Sequence, residues 1–222
     1  MNLDKDTSNT IDSNKSSVNE NAKNNDIFDL KTLFSQRQDV LWDVLHDRYK
    51  YNTSIQKGQN FLFNHIDSKL SLIVLYADLA GSTKMSINLP VEQMAMIIKI
   101  FSHEISSVIE SYEGLVLKYV GDAVIAFFLV SFNKYLSCDK SIRCAKSLLN
   151  VIEKGINPIF TKEGYPKLAV KISMDLGENI VIQYGFDKSA PIDLIGYPMN
   201  VAAKMNSLTE PNKYRLCSLK IS

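Results

Sequence analysis

The chain has 222 residues, of which 45% are hydrophobic, so it can build one globular domain with an appendage but hardly two large domains. Its net charge of +1 argues against nucleic-acid binding. The chain has no apolar run near the ~20 residues that a membrane span needs, and no N-terminal apolar region that would indicate a signal peptide. Three cysteines without CxxC spacing argue against a disulfide scaffold or a structural zinc site, and we expect a soluble, cytoplasmic protein.

The first 70 residues are predicted to lie outside the main domain. Residues 1–26 are rich in Asn, Ser and Asp, and too few apolar side chains are present to offset the cost of ordering them, which predicts a disordered tail. Residues 27–50 carry apolar side chains at helical intervals. This helix either packs on its own domain or serves in dimerisation or signalling. Residues 51–70, which show little periodicity, are expected to form a connector.

The folded domain is expected to span residues 71–222 and to alternate strands with helices. A buried strand near 72–76 precedes a helix at 90–112, a hairpin at 115–128 and a helix at 138–156. Strands at 168–174 and 180–183 are separated by a predicted turn at 177–179, and a strand at 192–195 precedes a helix at 198–208. The pattern favours an α+β fold, in which helices cover one face of a mainly antiparallel sheet.

The turn after the first strand is the first candidate site. Asp78 ends the strand and could hold a hard cation such as Mg²⁺. Gly81, Ser82 and Thr83 follow directly before a helix, where backbone N–H groups could bind phosphate. The alternative is that Asp78 and Ser82 only cap the turn. The chain has no P-loop motif.

The hairpin holds the second candidate site, in which Lys118 and Asp122 flank its tip. A two-residue turn at Val120-Gly121 would pair residue 119 with residue 122 and place the two charged side chains on opposite faces. Lys118 and Asp122 therefore need not serve the same site. The alternative is that both are solvated turn residues.

The third candidate segment runs from Asp193 to Lys204. Asn200 and Lys204 are four residues apart and so share one face of the predicted helix. The alternative is that both are ordinary solvent-exposed polar residues of that helix.

In combination, these segments resemble the catalytic domain of class III nucleotidyl cyclases, the adenylate and guanylate cyclases. The resemblance covers roughly residues 71–213 and rests on motif order and spacing. Its elements are Ala-Asp-Leu-Ala-Gly-Ser-Thr around Asp78, Lys-x-x-Gly-Asp at residues 118–122, and Asp193 followed by Asn200 and Lys204.

The resemblance implies a ferredoxin-like, palm-like sheet and a two-metal mechanism. Asp78 and Asp122, with the Leu79 carbonyl, would bind two Mg²⁺ or Mn²⁺ ions for in-line attack of the ribose 3′-hydroxyl on the α-phosphorus. ATP would thereby become 3′,5′-cyclic AMP and pyrophosphate, in signal transduction.

The resemblance also assigns recognition to a dimer. Lys118 and Asp193 would read adenine, and Asn200 would orient the ribose. In the family these residues face the metal carboxylates of the opposite subunit. The implied partners are therefore ATP and a second chain, either an identical copy or a related cyclase.

Two features depart from the family pattern. Lys204 stands where the family usually has Arg, and Lys lacks the planar two-pronged donor, so reduced turnover is expected. The family also continues with further strands that supply another phosphate-binding Lys, whereas residues 214–222 can supply at most one short strand. The catalytic domain is therefore expected to be short at its C-terminus.

Three functional hypotheses follow from these residues. The first is a homodimeric adenylate cyclase, which the two metal carboxylates favour. The second is a catalytically weak or inactive cyclase-like module that binds nucleotide or a partner, which Lys204 and the short C-terminus favour. The third comprises diguanylate cyclases and polymerases, which share a palm-like core. The segment from Asp193 to Lys204 does not suit this third class.

Overall fold

The computed structural model describes residues 54–130, 132–185, 187 and 190–217. The predicted tail at 1–26 and the predicted helix at 27–50 lie outside the described residues. Within the described part of the chain, no helix is both long enough and apolar enough to cross a bilayer.

The described residues form a six-stranded sheet with six α-helices. The first half comprises α1 Ser54–Phe63, β1 Lys69–Leu79, α2 Ser82–Asn88, α3 Val91–Ser111, β2 Leu115–Val120 and β3 Ala123–Leu129. The second half comprises α4 Lys134–Asn150, a π-helical turn Val151–Ile156, α5 Asn157–Lys162, β4 Val170–Gln183, β5 Ile192–Gly196, α6 Tyr197–Ser207 and β6 Lys213–Cys217.

The sheet order is β2-β3-β1-β4-β5, and β6 also pairs with β4. All pairings are antiparallel except that of β4 with β6. The α+β class and the mainly antiparallel sheet predicted from sequence are confirmed. Among the described residues after α6, which end at residue 217, one short strand forms, β6.

Helices cover both faces of this sheet, because alternate residues of β1 point into two different cores. Ile73 and Leu75 pack with residues of α3, α4 and α5 in the larger core. Leu72 and Val74 face a smaller core that α1 and α6 cover with Leu62 and other apolar residues. The sequence analysis predicted helices on one face of the sheet. In the structure, α1 and α6 cover the second face as well.

The segment predicted as a connector, residues 51–70, contains α1 and the start of β1. Gly58 explains why the helix was missed, because glycine is a weak helix former but is required here by close packing. A Cβ at this position would lie 2.0 Å from the carbonyl oxygen of Val116. The backbone of α1 therefore rests directly against β2.

The β2–β3 hairpin turns one residue later than predicted. Val120 pairs with Ala123, so Gly121 and Asp122 form the turn, and Gly121 has a φ of 60°. A β-bulge between Val116 and Lys118 shifts the register again. The predicted pairing of residue 119 with residue 122 is wrong, and so is the opposite-face argument that depended on it.

β4 runs unbroken where two strands and a turn were predicted. Gly177 does not turn the chain. A Cβ there would lie 2.8 Å from Cγ of Pro198, so the glycine makes room for the start of α6. The helix predicted at 138–156 also differs, because it begins earlier, at an Asn133 cap, and ends in the π-helical turn.

Asp175, on β4, is a buried carboxyl group in this sheet. It is 1% exposed, and neither carboxylate oxygen has a hydrogen-bond partner in the described part of the chain. Burial raises the pKa of Asp175, and the nearby backbone N–H of Leu176 offsets part of that rise. Because the folded-state pKa exceeds the unfolded-state pKa, this group favours folding at low pH and loses that contribution as pH rises through the folded-state pKa.

We expect Asp175→Asn to change the pH dependence of stability. Relative to wild type, its free energy of unfolding should rise by about 1–3 kcal/mol between pH ~4 and pH 7, because the variant buries no carboxylate. Urea denaturation at several pH values measures this difference. Asp139→Asn, at an exposed position paired with Arg143, is the matched control. A stability difference that does not vary with pH would show that Asp175 does not titrate in this range.

Candidate active site

Two carboxylates meet at one end of the sheet. Asp78 lies near the end of β1 and pairs with Ala123 of β3, and Asp122 precedes Ala123 in the hairpin turn. The later turn position is what brings Asp122 beside Asp78. Burial raises the pKa of Asp78, and the negative charge of Asp122 raises it further. The structure thus brings together the two carboxylates predicted as metal ligands.

Lys171 is a third member of this cluster. It is the direct partner of Asp78 in the β1–β4 ladder, and its Nζ lies 2.7 Å from a carboxylate oxygen of Asp78. Burial is the main cause that raises the pKa of Asp78, and the neighbouring Asp122 adds to it. The hydrogen bond and charge of Lys171 act in the opposite direction.

The donor set fits a hard divalent cation. One carboxylate oxygen of Asp122 is buried without a hydrogen-bond partner in the described part of the chain. An orphaned anionic oxygen beside a second carboxylate is the arrangement that Mg²⁺ or Mn²⁺ would satisfy. Across residues 54–217, apart from those not described, no cluster of three or more His, Cys, Asp or Glu residues could hold a metal. Further ligands would therefore be carbonyls, water or substrate oxygens.

The other residues predicted around Asp78 follow directly in the chain. The Leu79 side chain is 1% exposed and belongs to the core, so only its backbone carbonyl could contact a metal. Gly81 adopts a left-handed φ of 78° and begins the short helix α2. Ser82 is half-buried and Thr83 is exposed.

The predicted base-reading residues also meet. The Lys118 ammonium forms an ion pair with the Asp193 carboxylate, and their side chains are 35% and 14% exposed. The other oxygen of Asp193 accepts the backbone N–H of Leu194 at 2.9 Å, which fixes the carboxylate. Both residues lie on strands at opposite ends of the sheet order, β2 and β5. The sheet therefore curls under α1, which brings Lys118 and Asp193 into contact.

Two side chains that sequence reasoning missed surround this pair. Gln59 of α1 donates hydrogen bonds to the carbonyls of Leu117, at 3.0 Å, and Ile192, at 3.3 Å. Burial raises the pKa of the Tyr76 phenol, and the charge of nearby Asp193 raises it further. Lys118 pairs with Asp193, whereas Asp122 lies beside Asp78, so the two residues do have different partners. The pairing of residues 119 and 122, from which this was predicted, is nevertheless wrong.

Asn200 and Lys204 are exposed on α6. The inner face of that helix is fixed by a hydrogen bond of 2.6 Å from Ser173 Oγ to the Ala202 carbonyl, and by two bonds from the Asn206 amide to β1 and β4 carbonyls. Within the described residues, neither Asn200 nor Lys204 forms an ion pair or hydrogen bond with the Asp78 cluster. Their predicted roles in catalysis remain predictions.

Lys171 could have been suspected from sequence only in part. The alternation of β4 places Lys171 on the same, more polar side of the strand as Ser173. Its pairing with Asp78, however, depends on the register between β1 and β4, and the two residues are 93 positions apart in the chain. Gln59 gave no signal at all, because its two partners are backbone carbonyls of distant strands.

Comparison with known proteins points to one family. The family model described as the adenylate and guanylate cyclase catalytic domain matches residues 66–218. This match covers more than half of the chain and includes both the carboxylate cluster and the Lys118–Asp193 pair.

The individual relatives have low sequence identity to this chain. The chain is 28% identical over 142 residues to a uridylate cyclase of Rhodovulum sp. (strain MB263), covering 61% of this chain and 58% of that protein. It is 24% identical over 146 residues to a cytidylate cyclase of Escherichia coli, covering 63% of this chain and 32% of that protein. The chain thus matches from about a third to about three fifths of these relatives' own lengths.

Solved structures share the fold. The adenylyl cyclase CyaB from P. aeruginosa superposes with a TM-score of 0.62 at 22% identity, covering 67% of this chain and 77% of that chain. At this identity the likeness establishes the palm-like fold, and the chemistry must be argued from the site itself.

Proposed function

This chain belongs to the adenylate and guanylate cyclase catalytic domain family, and we propose that it converts a nucleoside triphosphate, with ATP as the first candidate, into a 3′,5′-cyclic nucleotide and pyrophosphate. On this proposal it acts in the cytoplasm as a dimer in signal transduction. The observation that carries the proposal is the Asp78–Asp122 pair with its orphaned, buried oxygen.

The proposed role of this pair is to hold two divalent cations, Mg²⁺ or Mn²⁺. Such ions would favour the ionised 3′-hydroxyl and neutralise phosphate charge. The chain's own contribution is to hold the two carboxylates together at the end of β1, with Lys171 as a fixed neighbouring cation. The backbone at Gly81, Ser82 and Thr83 would face the triphosphate.

The Lys118–Asp193 pair supports the binding of a base that carries an exocyclic amino group. Lys offers a donor to a ring nitrogen, and Asp accepts from an amino group. Adenine and cytosine both present a ring-nitrogen acceptor beside an amino donor on the pairing edge, whereas guanine and uracil present a carbonyl beside a ring N–H. We propose that this pair selects ATP over GTP and UTP on that ground.

CTP is the second candidate substrate. It has the same donor and acceptor pattern as ATP, and one relative reported above is named a cytidylate cyclase. The pattern of charges at Lys118 and Asp193 cannot separate the two bases, so the size of the pocket must. UTP, the substrate class in the name of the other relative, would need the opposite pattern.

The dimer is part of the proposal. Asn200 would orient the ribose, and Lys204 would contact the transferring phosphate with a single ammonium in place of a guanidinium. Both side chains are exposed in this chain, which suits a role completed by a second copy or by a related chain. Lys204 should lower turnover relative to Arg at this position.

The four common nucleoside triphosphates test this proposal directly. With Mn²⁺, we expect ATP to exceed GTP and UTP by at least about tenfold in kcat/KM, because the wrong base leaves a partly buried polar group unpaired. Lys118→Ala and Asp193→Ala should lower kcat/KM for ATP to background, so that no preference for ATP remains. Lys213→Ala, which removes an exposed ion pair with Glu210, is the matched control.

Each outcome of this assay decides between the candidates. A preference for CTP over ATP would transfer the assignment to the second candidate. Equal use of ATP and GTP would refute base reading by Lys118 and Asp193. Nucleotide binding without any cyclic product would establish the non-catalytic module.

A further inference from the structure

α1 reaches the base-reading pair through a single side chain. The Gln59 amide nitrogen donates to the Leu117 carbonyl at 3.0 Å and to the Ile192 carbonyl at 3.3 Å. Each of these carbonyls belongs to the peptide unit that leads directly into Lys118 or Asp193. One side chain therefore holds the backbone at both base-reading positions.

This bridge spans the two ends of the sheet order. β2 and β5 are not hydrogen-bonded to each other along the path β2-β3-β1-β4-β5, so no ladder fixes their separation. The two carbonyls accept from the two hydrogens of one amide group, which a Gln side chain supplies and a Glu or Leu side chain does not. The distance between β2 and β5 at Lys118 and Asp193 is thus set by Gln59 together with the ion pair.

The position of Gln59 is itself fixed by its neighbours on α1. Gly58 lies against the Val116 backbone without room for a Cβ, and Leu62 is fully buried in the smaller core. On the outer side, the Lys57 ammonium lies 2.8 Å from the Glu110 carboxylate of α3. Because α1 cannot slide along β2, its amide is held ready for both carbonyls.

We propose that Gln59 is a positioning residue that determines base specificity by holding Lys118 and Asp193 at the spacing that matches the base. This inference rests on the proposed function, since the base is read only if the chain binds a nucleotide. Gln59 touches neither base nor phosphate in this account. Its effect passes through the two peptide units.

Gln59→Glu tests the proposal with almost no change in size. The carboxylate cannot donate to either carbonyl, so the pair loses its spacing. We expect the ATP-over-GTP ratio of kcat/KM to fall roughly fivefold or more through a higher KM for ATP, with kcat within about twofold. Gln56→Glu, the same substitution at an exposed position of the same helix, should leave this ratio unchanged. An unchanged ratio in Gln59→Glu, or equal losses for ATP and GTP, would overturn the proposal.

A second measurement requires no catalysis. Urea denaturation of wild type, Gln59→Leu, Asp193→Asn and the double variant forms a double-mutant cycle. We expect the midpoint shift caused by Asp193→Asn to be reduced by about half or more in the Gln59→Leu background. Additive shifts would contradict the proposed coupling. If wild type forms no cyclic nucleotide, the proposed function fails, but this cycle still reports on Gln59, so the two failures are distinguishable.

Discussion

Asp122→Asn is expected to lower cyclic nucleotide formation by at least about a thousandfold, which corresponds to roughly 4 kcal/mol of transition-state stabilisation. The amide keeps the size of the side chain but removes the anionic oxygen that is buried without a partner. The same substitution at Asp78 should have a comparable effect and should also release Lys171 from its ion pair. Initial rates with Mn²⁺ and the preferred nucleotide measure both losses.

The loss should be chemical and not structural. Asp122 lies in a turn, and one of its carboxylate oxygens is buried without a hydrogen-bond partner in the described part of the chain, so the fold should persist in the variant. Denaturation midpoints should therefore be no lower than in the exposed control Asp139→Asn. Turnover in Asp122→Asn that still depends on metal and approaches the wild-type rate would remove this residue from the site.

Mixing two inactive variants is expected to restore activity. Lys118 and Asp193 are paired within one chain, whereas Asp122 lies with Asp78 and Lys171. If each site combines the carboxylates of one subunit with the base-reading pair of the other, a heterodimer of Asp122→Asn and Lys118→Ala chains has one intact site. Random pairing of equal amounts should recover roughly one quarter of the wild-type rate, because half of the dimers carry one of two sites.

The matched control for mixing is Asp122→Asn with Asp78→Asn. Both changes fall on the carboxylate cluster, so neither site of that heterodimer is intact and no activity should return. Size-exclusion chromatography with differently tagged chains verifies that heterodimers form. If the first mixture stays inactive although heterodimers are present, the two residue groups do not share a site across subunits.

Local sequence pattern was sufficient for the elements that carry the carboxylates. The apolar run ending at Asp78 and the glycine of the hairpin identified β1 and the β2–β3 turn, because burial and a left-handed φ leave clear local signals. The position of the turn was wrong by one residue. A β-bulge and a shifted turn both change which residues of the hairpin pair with each other. Only the pairing of β3 with β1 decides which turn position forms.

Long-range partners were beyond the reach of the sequence. Lys171 meets Asp78 through a strand register, and Gln59 meets Leu117 and Ile192 through the curl of the sheet. Gly177 misled the strand prediction because its small size serves packing against Pro198, and no local signal distinguishes that role from a turn. In each case the deciding contact joins residues far apart in the chain.

Product stoichiometry shows whether the Asp78–Asp122 cluster supports cyclisation of a nucleoside triphosphate. Purified wild type is incubated with Mn²⁺ and each of the four nucleotides, with Asp122→Asn as the blank, and the products are separated by liquid chromatography with mass detection. If the cluster supports cyclisation, a 3′,5′-cyclic nucleotide and pyrophosphate form in equal amounts with wild type and are absent from the blank. Release of a linear nucleotide and phosphate, or no product above the blank with any nucleotide, would contradict this role of the cluster.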